Sequence, residues 1–144
     1  MYLTNISLKQ QKKLKLLLNS KFLKTFSLKK PIKLKEYENV LKNYDIGIIP
    51  YLSKSLNYDY CSPNKFGDYV SSGLVVCSSG TSELKEIIKK NSIGFCYNQN
   101  SINDSASIIY KYVNNPRLLK MLKINTIKFF KKKYNWEIFE KNFF

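Results

Sequence analysis

Five short apolar or β-branched runs punctuate the chain, and longer stretches with helical spacing separate them. The runs are Met1–Ile6, residues 21–26 with Phe22, Leu23 and Phe26, Asp45–Pro50, Leu74–Cys77 and Ile93–Tyr97. The last three carry almost no polar position, as a strand buried on both faces should. Between them the period changes from two to about 3.6. Ser7 is an N-cap candidate ahead of Leu8, Leu14, Leu17 and Leu18. Leu34, Tyr37, Val40 and Leu41 share one face of a helix that should end near Asn43. Pro63 suits the first turn of another, with Phe66, Tyr69 and Val70 inward and Gly73 as the residue that closes it. Thr81 or Ser82 should cap a helix through about Lys90, with Glu83 near its positive end. Asn103 or Ser101 should begin one through Val113, Pro116 one ending near Lys133, and Tyr134–Trp136 a last short helix to Phe144.

Strands that alternate with helical patterns predict an α/β fold, a Rossmann-like parallel sheet with helices on both faces. At 144 residues the chain has the length of a single domain, 1–144. Ligands of such sheets bind at the carboxyl ends of the strands. Two segments are therefore expected to line one crevice: the long polar and aromatic loop 52–62, and the Ser78–Ser82 turn.

Composition removes several chemistries. The chain has no histidine, so histidine-based triads, general bases and metal sites are excluded. Cys61, Cys77 and Cys96 are not spaced as a ligand set and read as free thiols in or beside apolar runs. No Gly-x-Gly-x-x-Gly and no Gly-rich lysine loop occurs, which disfavours dinucleotide and P-loop enzymes. The net charge is +15, yet Arg117 is the only arginine among 25 basic residues. The guanidinium forks that read phosphates and bases are thus nearly absent, and no specific nucleic-acid partner is expected. Lys120, Lys123, Lys128 and Lys131–Lys133 form the basic side of a helix whose Leu118, Leu119, Leu122 and Phe129 form an apolar face, so packing is its expected role. Lys9, Lys12, Lys13 and Lys15 interrupt the first apolar stretch, which does not read as a signal peptide, and no apolar run approaches the roughly 20 residues of a membrane span. A cytoplasmic protein is expected, and the basic surface would suit the inner face of a membrane.

One ordered series of motifs is more specific. Tyr-Asp-Ile-Gly-Ile-Ile-Pro-Tyr (44–51) precedes Ser-Pro-Asn-Lys-Phe-Gly-Asp-Tyr (62–69) and Val-Ser-Ser-Gly-Leu-Val-Val-Cys (70–77). Ser-Gly-Thr-Ser-Glu-Leu (79–84), Asn-Ser-Ile-Gly-Phe (91–95) and Tyr-Asn-Trp-Glu (134–137) follow. The series resembles the C-terminal, donor-binding domain of GT-B glycosyltransferases of the retaining family-4 group, over residues 44–144 and more loosely over 1–43.

The resemblance implies a nucleotide-sugar as substrate, no cofactor and no bound metal. It implies that Asp68, five residues before Gly73, bonds the donor's ribose hydroxyls, although it is one methylene shorter than the usual Glu. The alternative for Asp68 is an ordinary first-turn acid held by the helix dipole. Ser62, Asn64, Lys65 and Tyr69 would complete the donor site, with Lys65 near the phosphates. Tyr51, Tyr60, Gly80, Thr81 and Ser82 would line the donor loops. Tyr60 stands where many members carry a further glutamate. The Arg and Lys that neutralise the leaving diphosphate belong to a first strand–helix unit that residues 1–43 do not match, and Met1–Ile6 corresponds to the second strand. The implied protein is a fragment or one half of a split enzyme, inactive without an acceptor domain on a separate polypeptide. A binding module without turnover is the second reading. A flavodoxin-like receiver domain is the third, but the acidic cluster it needs is missing.

Overall fold

The computed structural model describes residues 32–50 and 63–141. Strands expected at 1–6 and 21–26, the helix expected after Ser7, the 52–62 loop with Tyr51, Tyr60, Cys61 and Ser62, and the chain end at 142–144 lie outside the described residues. The chain divides into two compact units, 1–37 and 38–144. The order of elements is α1 (Leu34–Leu41), β1 (Ile46–Ile49), α2 (Asn64–Ser71), β2 (Val75–Ser78), α3 (Ser82–Asn91), β3 (Gly94–Cys96), α4 (Ile102–Val113), α5 (Pro116–Lys133) and α6 (Trp136–Lys141).

The second unit is α/β, a three-stranded parallel sheet in the order β1-β2-β3 with helices on both faces, as a Rossmann-like fold has. Its central strand β2 is buried throughout, which is why Val75-Val76-Cys77 shows no polar alternation. Alternate residues serve opposite cores. Ile49 and Val76 join Phe66 and Val70 of α2, Leu84 and Ile88 of α3, and Phe129 of α5 on one face. Val75, Cys77 and Phe95 meet Leu122 on the other, beneath Ile108, Ile109 and Tyr112 of α4. Each fully buried aliphatic or aromatic side chain contributes about 1.5–3 kcal/mol of transfer free energy.

Helix boundaries follow local chemistry. Thr81 caps α3 by accepting the Leu84 N–H at 3.2 Å, Ser101 caps α4 through the Asp104 N–H at 3.2 Å, and Asn115 caps α5 through the Leu118 N–H at 3.0 Å. Pro116 is the first residue of α5. Gly73 closes α2 with φ +72°, where a side chain would be strained and would also press on Ile127. Pro63 is the N-cap of α2 rather than its first residue, and its side chain offers the helix no hydrogen bond.

The long helix α5 binds the two faces together. Leu118, Leu119 and Leu122 pack on the α4 side, whereas Phe129 and Phe130 pack on the α2/α3 side. Between them α5 passes the amino ends of the strands. Lys123 Nζ pairs with Asp45 at 2.9 Å, and buried Thr126 donates to the Ile93 carbonyl at 3.2 Å. Asn125 holds the carbonyl of Ser92 at 3.1 Å. Ser92 ends α3 in the left-handed region with φ 50°, a conformation that costs a residue with a side chain roughly 1–2 kcal/mol.

Candidate functional site

The topology determines which ends of the helices meet. Each helix that follows a parallel strand begins at the strands' carboxyl edge and runs back, so α2 and α3 both start there. Their first-turn N–H groups face the same edge of the sheet. Ser78 and Ser79 tie the start of α3 to the end of β1. Ser78 Oγ donates to the Ile49 carbonyl at 3.4 Å, and Ser79 N–H to the same oxygen at 3.3 Å. Ser78 Oγ also accepts the Gly80 N–H at 3.0 Å. Ser78, Ser79, Gly80 and Thr81 are all buried, so this turn is held by its own bonds. A Cβ on Gly80 would lie 2.7 Å from Ser78 Oγ, so the approach needs glycine.

The start of α2 differs. Asn64 and Lys65 are exposed. Phe66 is fully buried and meets Phe129 and Tyr134 edge-on, at centroid distances of 6.3 and 5.1 Å. Tyr69 lies over β1: its ring fills the place a side chain at Gly47 would need, and its hydroxyl donates to the Ile48 carbonyl at 3.3 Å. Phe66 and Tyr69 thus orient the helix, and Gly47 is the small position that admits the Tyr69 ring.

Asp68 stands two positions after Phe66 and two before Val70, on the far side of α2 from that buried stripe. It belongs to the second turn, and the first turn holds no acid, so the helix-dipole alternative for Asp68 does not apply. Its carboxylate makes no hydrogen bond or ion pair with a described residue. Burial nonetheless pushes its carboxyl above the ordinary aspartate value, and the Lys65 ammonium one turn earlier opposes that rise. Because Cβ bonds tilt toward a helix N-terminus, Asp68 leans toward the carboxyl edge of the sheet. A half-buried acid beside a lysine, unpaired by any described residue, can accept two hydroxyls of a ligand.

A cleft of about 720 Å³ adjoins the α3 turn and runs along β3 between α3 and α4. Gly80, Thr81 and Ser82 line it together with Lys85 and Lys89 of α3, Cys96 and Tyr97, Gln99, and Lys111 and Tyr112 of α4. Only Gly80–Ser82 were legible as site residues in the sequence. The others come from three separate segments, and no motif joins them. Both described thiols are free. Burial pushes Cys77 up to about 12. Burial also raises Cys96, but Lys85 and Lys89 pull it back.

Among the described residues no group of three His, Cys, Asp or Glu could hold a metal ion, and no helix is long and apolar enough to cross a membrane. Compared with family models, curated proteins and solved structures, the chain matches none.

Proposed function

We propose that the chain is the donor-binding half of a retaining glycosyltransferase and holds a nucleotide-sugar at the carboxyl edge of the sheet, for transfer to a glycan or lipid-linked acceptor. The observation that carries this reading is Asp68, half-buried, beside Lys65, unpaired by any described residue and leaning toward the edge where α2 and α3 both begin. In this reading Asp68 accepts the ribose hydroxyls. The open first turn of α2 and Lys65 receive a phosphate, and the Gly80–Ser82 turn approaches the sugar. A separate polypeptide supplies the acceptor site, and the positive charge of the chain would favour contact with an anionic membrane surface.

A second reading, binding without turnover by this chain alone, is favoured by the place of Arg117. The one arginine of the chain lies in the first turn of α5, beyond the carboxyl end of α4, and neither α2 nor α3, whose first turns face the proposed donor edge, carries an arginine. No guanidinium of this chain is thus available to stabilise a departing diphosphate.

Calorimetric titration of the full chain with uridine diphosphate and other nucleoside diphosphates tests the common part. Asp68→Asn should weaken binding about 10- to 100-fold, the worth of hydrogen bonds to a charged group. Asp68→Glu should retain it. No binding of any nucleoside diphosphate, or equal binding by Asp68→Asn, would defeat the proposal. Sugar transfer by the chain without a second polypeptide would reject the second reading.

A further inference from the structure

The cleft along β3 shares the Gly80–Ser82 turn with the donor site proposed above, but its cations come from α3 and α4 rather than from α2. Among the described residues β3 pairs only with β2, so its other edge is open, and the cleft lies on that side between α3 and α4. Three lysines from two helices line it, Lys85 and Lys89 one turn apart on α3 and Lys111 on α4. Among the described residues no carboxylate lines it, and none of the three lysines forms an ion pair. Cations that line a concavity, rather than spread over a convex face, focus their field inside it. Their charge reaches the strand edge, since Lys85 and Lys89 both act on the Cys96 thiol. At the turn after β3 Gln99 lines the cleft, and its buried carboxamide oxygen has no hydrogen-bond partner among the described residues. Leaving such an acceptor unmatched is unfavourable, and turning it to a hydroxyl in the cleft relieves that.

We propose that this cleft binds a phosphate ester that also carries hydroxyl groups, with Lys85, Lys89 and Lys111 around the phosphate and Gln99 accepting from a hydroxyl. The assignment does not rest on glycosyl transfer or on Asp68. Free phosphate shares the anionic part of this chemistry and lacks the hydroxyl part, so the two are separable.

Cys96 lines the cleft and reports on it. The rate at which iodoacetamide modifies Cys96 in the full chain, followed by mass spectrometry of its peptide, is the measurement. A bound phosphate covers the thiol and neutralises the two lysines that favour its thiolate. Glucose 6-phosphate should therefore slow modification about tenfold, the effect of a pKa rise of about one unit. Inorganic phosphate should do so only at higher concentration, and glucose should not. The variant Lys85→Gln/Lys89→Gln/Lys111→Gln should lose the protection relative to its own unliganded rate. Gln99→Ala should bring glucose 6-phosphate to the level of inorganic phosphate, and Asp68→Asn should leave protection intact. An unchanged Cys96 rate in saturating glucose 6-phosphate overturns the proposal. So does protection that survives the triple substitution, or equal protection by glucose. Equal potency of inorganic phosphate and glucose 6-phosphate would overturn the hydroxyl part alone.

Discussion

Two helices start at the same edge of the sheet, and they start differently. The first turn of α3 is closed by its own chain. Thr81 caps it, Ser78 Oγ takes the Gly80 N–H, and the lead-in Ser78–Thr81 is buried, although Ser82 and Glu83 of the turn itself are exposed. The first turn of α2 follows a proline with no side-chain cap, and its Asn64 and Lys65 are exposed. Among the described residues it is the inner side of α2, through Phe66, Val70 and Tyr69, that packs in the core. The contrast separates positions that hold the edge together from positions that no described residue engages. The latter, Asn64, Lys65 and Asp68, are the ones the proposed donor site uses as donors, cation and acceptor.

Substitutions can break this contrast in graded steps. Phe66→Ala should be the most damaging, by about 3–5 kcal/mol, because it empties a fully buried site against two aromatic rings. Lys65→Ala, its immediate neighbour, should change stability by less than about 0.5 kcal/mol. Denaturant melts of the two variants measure both, and comparable losses would erase the division between the sides of α2. Ser78→Ala should follow at about 1–3 kcal/mol, since it strands the buried Gly80 N–H. Thr81→Ala should be milder, about 1 kcal/mol, the usual worth of an N-cap. A neutral result for Thr81→Ala would mean that the α3 start is no better closed than that of α2.

Asp68→Asn is the smallest and the most diagnostic. The folded carboxyl titrates above its ordinary value of 3.8, so the native state binds its proton more readily than the unfolded chain does. Ionised Asp68 therefore detracts from stability above the folded pKa, and that deficit disappears as pH falls below the unfolded one. Asp68→Asn should be slightly more stable than the parent at pH 7, by at most about 0.5 kcal/mol given its exposure, and no more stable at pH 3. Thermal melts at the two pH values measure the difference. A variant less stable at pH 7 would show that the carboxylate has a structural partner.

The elements were legible because their signals are local. Three apolar runs became β1, β2 and β3 within one or two positions of their expected bounds, and Gly73, Ser101, Pro116 and Thr81 mark helix ends by their own backbone and side-chain chemistry. Even the shared edge of α2 and α3 follows from the order of elements in a parallel sheet. Other features have no local signature. Ser92 adopts a glycine-like conformation that Asn125, on another helix, supports. Gly47 reads as an ordinary strand residue until Tyr69 packs on it. The lysine cleft draws on α3, β3 and α4, and in a chain of 24 lysines nothing in the order of residues singles out Lys85, Lys89 and Lys111.

The amino-acid order by itself determined the parallel α/β layering, the boundaries of the helices and the edge of the sheet at which α2 and α3 begin. Hydrophobic period, capping and glycine placement act within a few residues, and strand–helix alternation constrains the topology. Tertiary structure alone decided which side chains share a space. It stripped Asp68 of a role in the helix dipole, gave Tyr69 its seat on β1 and gathered the lysines beside β3. These are consequences of distance and burial between segments far apart in the chain, and no local rule contains them.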